Sequence, residues 1–166
     1  MKLRDLLVIT FAAVILFVAD ELLHSIPNVQ LSVFFLVLFS RKLKTARTAL
    51  VIVIYVLLDA LYMTAVNPVY MTFMILGWMM TPVLMNTLFA RTESELVLAL
   101  GSILCALAYC WMFAIPNVLI YRMDFVKYML ADLPFEAILC ASSFLSVLWL
   151  YRPCSKAWDS LRGHMI

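Results

Sequence analysis

Residues 6–23, LLVITFAAVILFVADELL, decide which solvent this chain folds in. From Leu6 to Ala19 only Thr10 is polar, and the run closes on Asp20 and Glu21. Eighteen residues of helix measure about 27 Å, close to the ~30 Å hydrocarbon core of a bilayer. The basic start, Lys2 and Arg4, followed by an apolar run imitates a secretory signal, but no small-x-small cleavage site precedes the acidic pair, so the stretch reads as a first membrane helix.

The same signal recurs along the chain. Two thirds of the 166 residues are apolar, 13% are charged and the mean hydropathy is +1.05, well above the roughly half-apolar usage of soluble domains. Apolar length predicts six helices over 6–23, 29–40, 48–63, 70–90, 96–115 and 128–151, forming one all-α membrane domain over residues 1–166. The second helix is short for a bilayer, so it spans thinly, is extended by Ile26 to Asn28, or is shielded by protein. Pro27, Pro68 and Pro116, each followed or preceded by Asn, read as helix ends; Pro82 lies inside the fourth run and Pro134 near the start of the sixth. Ser25-Ile-Pro-Asn-Val29 and Ala114-Ile-Pro-Asn-Val118 echo one another, which helix-end chemistry used twice explains as well as duplication does.

Basic residues set the expected topology. With the N-terminus cytoplasmic, Lys2, Arg4, Arg41, Lys42, Lys44, Arg47, Arg91, Arg152, Lys156 and Arg162 fall inside, and only Arg122 and Lys127 fall outside. Both termini are then cytoplasmic, which requires an even number of spans. The net charge of +2 and the short basic clusters exclude nucleic acid as a partner. Cys105, Cys110, Cys140 and Cys154 occur singly with no C-x-x-C pair, so they read as small buried residues rather than zinc ligands or disulfides. Neither a metal nor another cofactor is expected, and the absence of H-E-x-x-H, G-x-S-x-G and phosphate-cradling glycine motifs argues against an enzyme.

Five of the ten acids, Asp20, Glu21, Asp59, Asp132 and Glu136, lie within or at the edges of apolar runs. A charge at mid-membrane costs about 2.5–3.5 kcal/mol, so each needs a reason. All five map to the outer ends of their helices. Asp132 and Glu136, four residues apart, share a helical face, as do Asp20 and His24. Asp20 and Glu21 read as facing water at the end of helix one; Asp59 and Glu136, deeper in their runs, read as facing a cavity among helices one, three and six. Candidate substrate-binding companions are Asn28, Gln30, Tyr55, Tyr62, Trp78, Asn86, Tyr109, Asn117 and Asp132, with Asn67, Trp111 and Tyr121 nearby. Aromatic faces with a few directed hydrogen bonds suit a planar, vitamin-sized solute. Tyr62, Trp111 and Tyr121 equally suit an interfacial aromatic belt, and Asn86 maps nearer the inner side.

Three segments resemble the substrate-binding S components of energy-coupling factor (ECF) transporters: Ile26-Pro-Asn-Val-Gln-Leu31, Tyr55-Val-Leu-Leu-Asp59, and Tyr128-Met-Leu-Ala-Asp-Leu-Pro-Phe-Glu136 continuing to Phe144-Leu-Ser-Val-Leu-Trp-Leu-Tyr151. The resemblance implies a non-enzymatic specificity subunit in a prokaryotic cytoplasmic membrane. It would capture a vitamin or related micronutrient from outside and deliver it by toppling, docked to a transmembrane coupling subunit and two cytoplasmic ATPases. Family members dock through small residues of helix one, which here implies Thr10, Ala12, Ala13 and Ala19, although Leu16 interrupts the A-x-x-x-A pattern. Nickel and cobalt members begin Met-His, whereas this chain begins Met-Lys, which disfavours metal transport. Two other classes compete: a membrane scaffold similar to the rod-shape protein MreD, and a solitary ion-coupled carrier titrating through Asp59 or Glu136.

Overall fold

The computed structural model describes residues 3–63 and 66–164, with side chains to Leu161; Lys2 and the Arg162 side chain, both used above to orient the chain, lie outside the described set. Six helices follow one another: α1 (Leu3–Leu23), α2 (Ser32–Leu43), α3 (Thr45–Tyr62), α4 (Pro68–Thr87), α5 (Glu95–Leu119) and α6 (Phe125–His164). All but α2 are long and apolar enough to cross a membrane.

The helices run alternately up and down. Asp5 near the start of α1 pairs with Arg47 near the start of α3. Arg41 at the end of α2 donates to the carbonyls of Phe89, Ala90 and Thr92 beyond α4. Glu95 at the start of α5 meets Arg152 of α6. This is the basic end of the bundle, where α1 begins and α6 finishes. At the opposite, acidic end the last turn of α1 meets the start of α2, and the start of α4 meets the last turn of α5.

α2 is the hub, packing against each of the other five helices. Nine of its twelve residues are buried, with Val33, Phe34, Leu36, Val37 and Phe39 at 0–1% exposure. Twelve residues rise only about 18 Å, and enclosure by protein removes the need to match the bilayer. The remaining helices wrap it in the order α1, α3, α4, α5, α6. The outward face of α1 exposes Phe11, Val14, Ile15, Val18 and Leu22. An apolar stripe of this length on an outer helix belongs against lipid rather than water.

Local chemistry fixes the boundaries. Asn67 caps α4 through its side-chain oxygen, which accepts from Val69 N (3.0 Å) and Tyr70 N (3.3 Å), and Pro68 at the first helical position sacrifices no hydrogen bond. A single residue, Lys44, with φ 68° and ψ 164°, reverses the chain between α2 and α3. Gly77 lets α5 approach closely, since a Cβ there would stand 2.9 Å from Cδ2 of Tyr109.

Several predicted boundaries move. α5 continues through Pro116 to Leu119, where the Pro116 carbonyl accepts from Ile120 N (2.9 Å) and Tyr121 N (3.0 Å) and closes the last turn. Pro134 lies in the interior of α6 rather than starting it, since the helix begins at Phe125. α6 also runs past Tyr151 and through Pro153 to His164. Its forty residues span about 60 Å, so it overshoots the other helices. The overhang is held by Trp158, whose ring lies 5.7 Å from that of Phe39, and by Asp159, which accepts from Lys42 Nζ at 2.6 Å.

Candidate functional site

The acidic end holds two separate polar groups. The first is built on Asp20 in the last turn of α1. Ser32 Oγ at the start of α2 donates to its Oδ1 at 2.8 Å, and the hydroxyl of Tyr55 on α3 donates to its Oδ2 at 2.6 Å. Asp20 does not simply face water, as expected from its position at the end of an apolar run; it ties three helices together. Asp59, half-buried one turn beyond Tyr55, sits within electrostatic range of Asp20, Glu21 and His24. Tyr55 is 1% exposed, so its ring is core and its hydroxyl is committed to Asp20.

The second group belongs to α5 and α6. Asp132 and Glu136 share a face of α6, as their spacing predicts, and Cys110 of α5 joins them: one ligand atom from each lies within 4.8 Å of the others. Glu136 is 6% exposed and its Oε1 has no hydrogen-bond partner among the described residues. The Trp111 side chain lies against the same carboxylate. The backbone of α6 approaches neither α1 nor α3 among the described residues. The acids of three helices therefore do not converge on one point, because α2 and the ring of Tyr109 stand between them.

Between the two groups the aromatic residues fill space with each other. Trp78, fully buried, stacks on Tyr109 with centroids 3.7 Å apart. Tyr109 meets Phe113 edge-on, Phe113 stacks on Tyr70, and Tyr70 stacks on Tyr121. Stacked pairs contribute about 0.5–1.5 kcal/mol each beyond their burial. Asn117 is spent locally, accepting from Tyr70 OH (3.0 Å) and donating to the Phe113 carbonyl (2.8 Å). Tyr62 and Trp111 are mostly exposed, at 62% and 54%, as a belt position requires.

The loop entering α2 reaches α6. Asn28 takes a left-handed φ of 56°, a conformation that Asn tolerates well. Two residues on, the backbone N–H of Gln30 donates to Ser142 Oγ (3.2 Å), and that hydroxyl donates back to the Gln30 carbonyl (2.9 Å). Its side-chain Oε1 is buried without a partner. Among the predicted site residues, Asn86 stands apart: its Nδ2 donates to Thr45 Oγ1 (2.9 Å) at the basic end. Ser32, Tyr70, Cys110 and Ser142 were not foreseen. Only the Ser142-Ser143 pair inside an apolar run was a visible signal.

Two features alter the expected partner and cavity surfaces. Ala12 and Ala13 are 1% and 0% exposed, so this small-residue face packs α1 inside the protein and is closed to a docking partner. Thr10 is exposed and Ala19 half-buried. A cavity of about 440 Å³ lies at the basic end, lined by Arg41, Lys42, Thr92, Glu93, Glu95, Tyr151, Arg152, Ser155 and Lys156, away from Asp59 and Glu136. No protein-family model, no curated protein and no solved structure matches the chain.

Proposed function

We propose that the chain is the substrate-binding subunit of an ECF-type importer, taking up a vitamin or related micronutrient at the acidic end and working with a transmembrane coupling subunit and two ATPases. The positive-inside rule puts that end outside a prokaryotic cytoplasmic membrane and the basic end in the cytoplasm. One observation carries the proposal. Two acceptors at the acidic end, Gln30 Oε1 and Glu136 Oε1, are buried with no hydrogen-bond partner among the described residues, the Glu136 carboxylate having the Trp111 side chain against it. An unsatisfied buried polar atom costs about 1–3 kcal/mol. Six such atoms occur among the described residues, the others on Trp78, Thr81, Ser143 and Trp158. These two are the pure acceptors, which a bound solute with donors answers. The three segments that resemble S components contain both residues.

Protein purified in detergent or nanodiscs should gain thermal stability from at least one member of a vitamin panel, and native mass spectrometry should find that compound bound one to one. Gln30→Ala should reduce the shift. A panel without any stabilising compound overturns the proposal. In that case the packed Trp78–Tyr109 centre favours the second class, an MreD-like scaffold, whose acids serve assembly.

A further inference from the structure

We propose that Cys110, Asp132 and Glu136 form a binding site for a divalent transition-metal ion of the zinc and cobalt class. The sulfur of Cys110 and one oxygen from each carboxylate lie within 4.8 Å of one another on the two adjoining helices α5 and α6. Cys110 and Glu136 are more than nine-tenths buried, and Glu136 Oε1 has no hydrogen-bond partner among the described residues, with the Trp111 side chain set against the carboxylate. The three ion pairs among the described residues, Lys42–Asp159, Arg47–Asp5 and Arg152–Glu95, are all at the opposite end. No basic side chain among the described residues pairs with these two acids. Two carboxylates this close in an apolar surround repel unless a cation or a shared proton lies between them.

The donor types select among cations. A sulfur ligand is a poor choice for magnesium or calcium, and two carboxylates are a poor choice for copper(I). Zinc accepts both, at about 2.3 Å to sulfur and 2.0–2.2 Å to oxygen in tetrahedral geometry. Donors then stand roughly 3.5 Å apart, so the cluster need close by only about 1 Å, which a rotamer change at the half-exposed Asp132 supplies. Binding makes two metal–oxygen bonds and one metal–sulfur bond and releases to solvent both the Cys110 thiol proton and the proton the two carboxylates otherwise share. Three protein donors leave a fourth position for water or a donor atom of a bound solute. The site does not need the transport proposal, since a scaffold could carry it equally, but an ion held by Glu136 would leave Gln30 Oε1 as the acceptor that supports that proposal.

The full chain in nanodiscs, stripped with chelator and titrated with Co²⁺, tests this. One ion per chain should bind, with a thiolate-to-cobalt charge-transfer band that Zn²⁺ abolishes by displacement. Cys110→Ser should remove the band, and Glu136→Gln or Asp132→Asn should weaken binding by more than about tenfold, the least that even outer partners of metal ligands contribute. A chain with Cys105, Cys140 and Cys154 all replaced by Ala should keep the band, which tests the site even if Cys110→Ser fails to fold. No saturable binding, saturation without the band, or a band that survives Cys110→Ser overturns the site. A vitamin-dependent thermal shift without cobalt binding would leave the transport proposal standing and this one refuted.

Discussion

The two ends of the bundle handle charge in opposite ways. At the basic end, Arg41 caps three carbonyls, and Lys42, Arg47 and Arg152 each face a carboxylate. At the acidic end, Asp20 is held by hydroxyls, while Glu136 and Gln30 each keep one acceptor oxygen that no described residue answers. The basic end, which holds the cavity of about 440 Å³ and a buried Trp158 Nε1 unpartnered among the described residues, is neutralised rather than sealed; what sets the acidic end apart is its unpaired acceptors. The contrast also explains why the aromatic core lies toward the acidic half: stacked rings give a rigid floor without occupying the unanswered oxygens.

The largest effect expected from breaking this contrast is at Asp20. Asp20→Ala leaves the buried Tyr55 hydroxyl and Ser32 Oγ without their acceptor, and should cost roughly 2–3 kcal/mol of stability, read as a lowered midpoint in thermal unfolding in one detergent. Adding Tyr55→Phe to that variant should recover part of the loss, because removing both partners of a buried hydrogen bond costs less than removing one. A double variant less stable than the single would show that Tyr55 finds another acceptor.

Asp20 also shows where sequence reading stops. Apolar run lengths locate all six helices, since lipid thickness constrains length, and they flag α2 as too short. They place Asp20 at a helix end and so suggest water, because the partners that bury it, Ser32 and Tyr55, come from other helices and leave no periodic trace. The i, i+4 pair Asp132 and Glu136 is legible for the opposite reason: both ligands lie on one helix. Cys110, which completes that cluster, is invisible without knowing that α5 lies beside α6. The overhang of α6 is missed because Arg152-Pro153 ends the apolar run, which is a statement about lipid and not about helix. Its continuation depends on Trp158 and Asp159 reaching α2. The alanines of α1 mislead in the same way, since small residues permit close packing with any helix, and here the neighbours are the chain's own.

At the basic end the strongest single contributor is Arg41. Its guanidinium donates at 3.2, 2.9 and 2.8 Å to the carbonyls of Phe89, Ala90 and Thr92 in the turn after α4, the first of which also accepts from Thr92 N. Arg41→Ala should cost about 1.5–3 kcal/mol, and Arg41→Lys should restore less than half, since an ammonium cannot reproduce the fork. Full rescue by lysine would mean that charge, not geometry, closes this end.

Lys44 offers a change of opposite sign. Its φ of 68° with ψ of 164° lies where glycine is preferred, and the chain's glycines are elsewhere. Lys44→Gly should raise stability by about 1 kcal/mol, the relief of an unfavourable backbone less the greater freedom of glycine in the unfolded chain. A lowered midpoint would show that the ammonium contributes more than its backbone costs.

The smallest effect should be the Lys42–Asp159 ion pair, despite its 2.6 Å separation. Asp159 is 61% exposed, so water and salt screen the attraction, and ordering both side chains offsets much of what remains. A double-mutant cycle with Lys42→Ala and Asp159→Ala should give a coupling of about 0.2–1 kcal/mol that fades as ionic strength rises past the point where the Debye length falls below about 8 Å. The cycle separates the two supports of the α6 overhang, because Trp158 packs on Phe39 independently of salt. If the overhang instead detaches when the pair is removed, seen as new tryptic cleavage after Lys156, then charge and not the ring contact holds it. The basic end would then be less firmly closed than its list of paired cations implies, and the difference between the two ends would be one of degree.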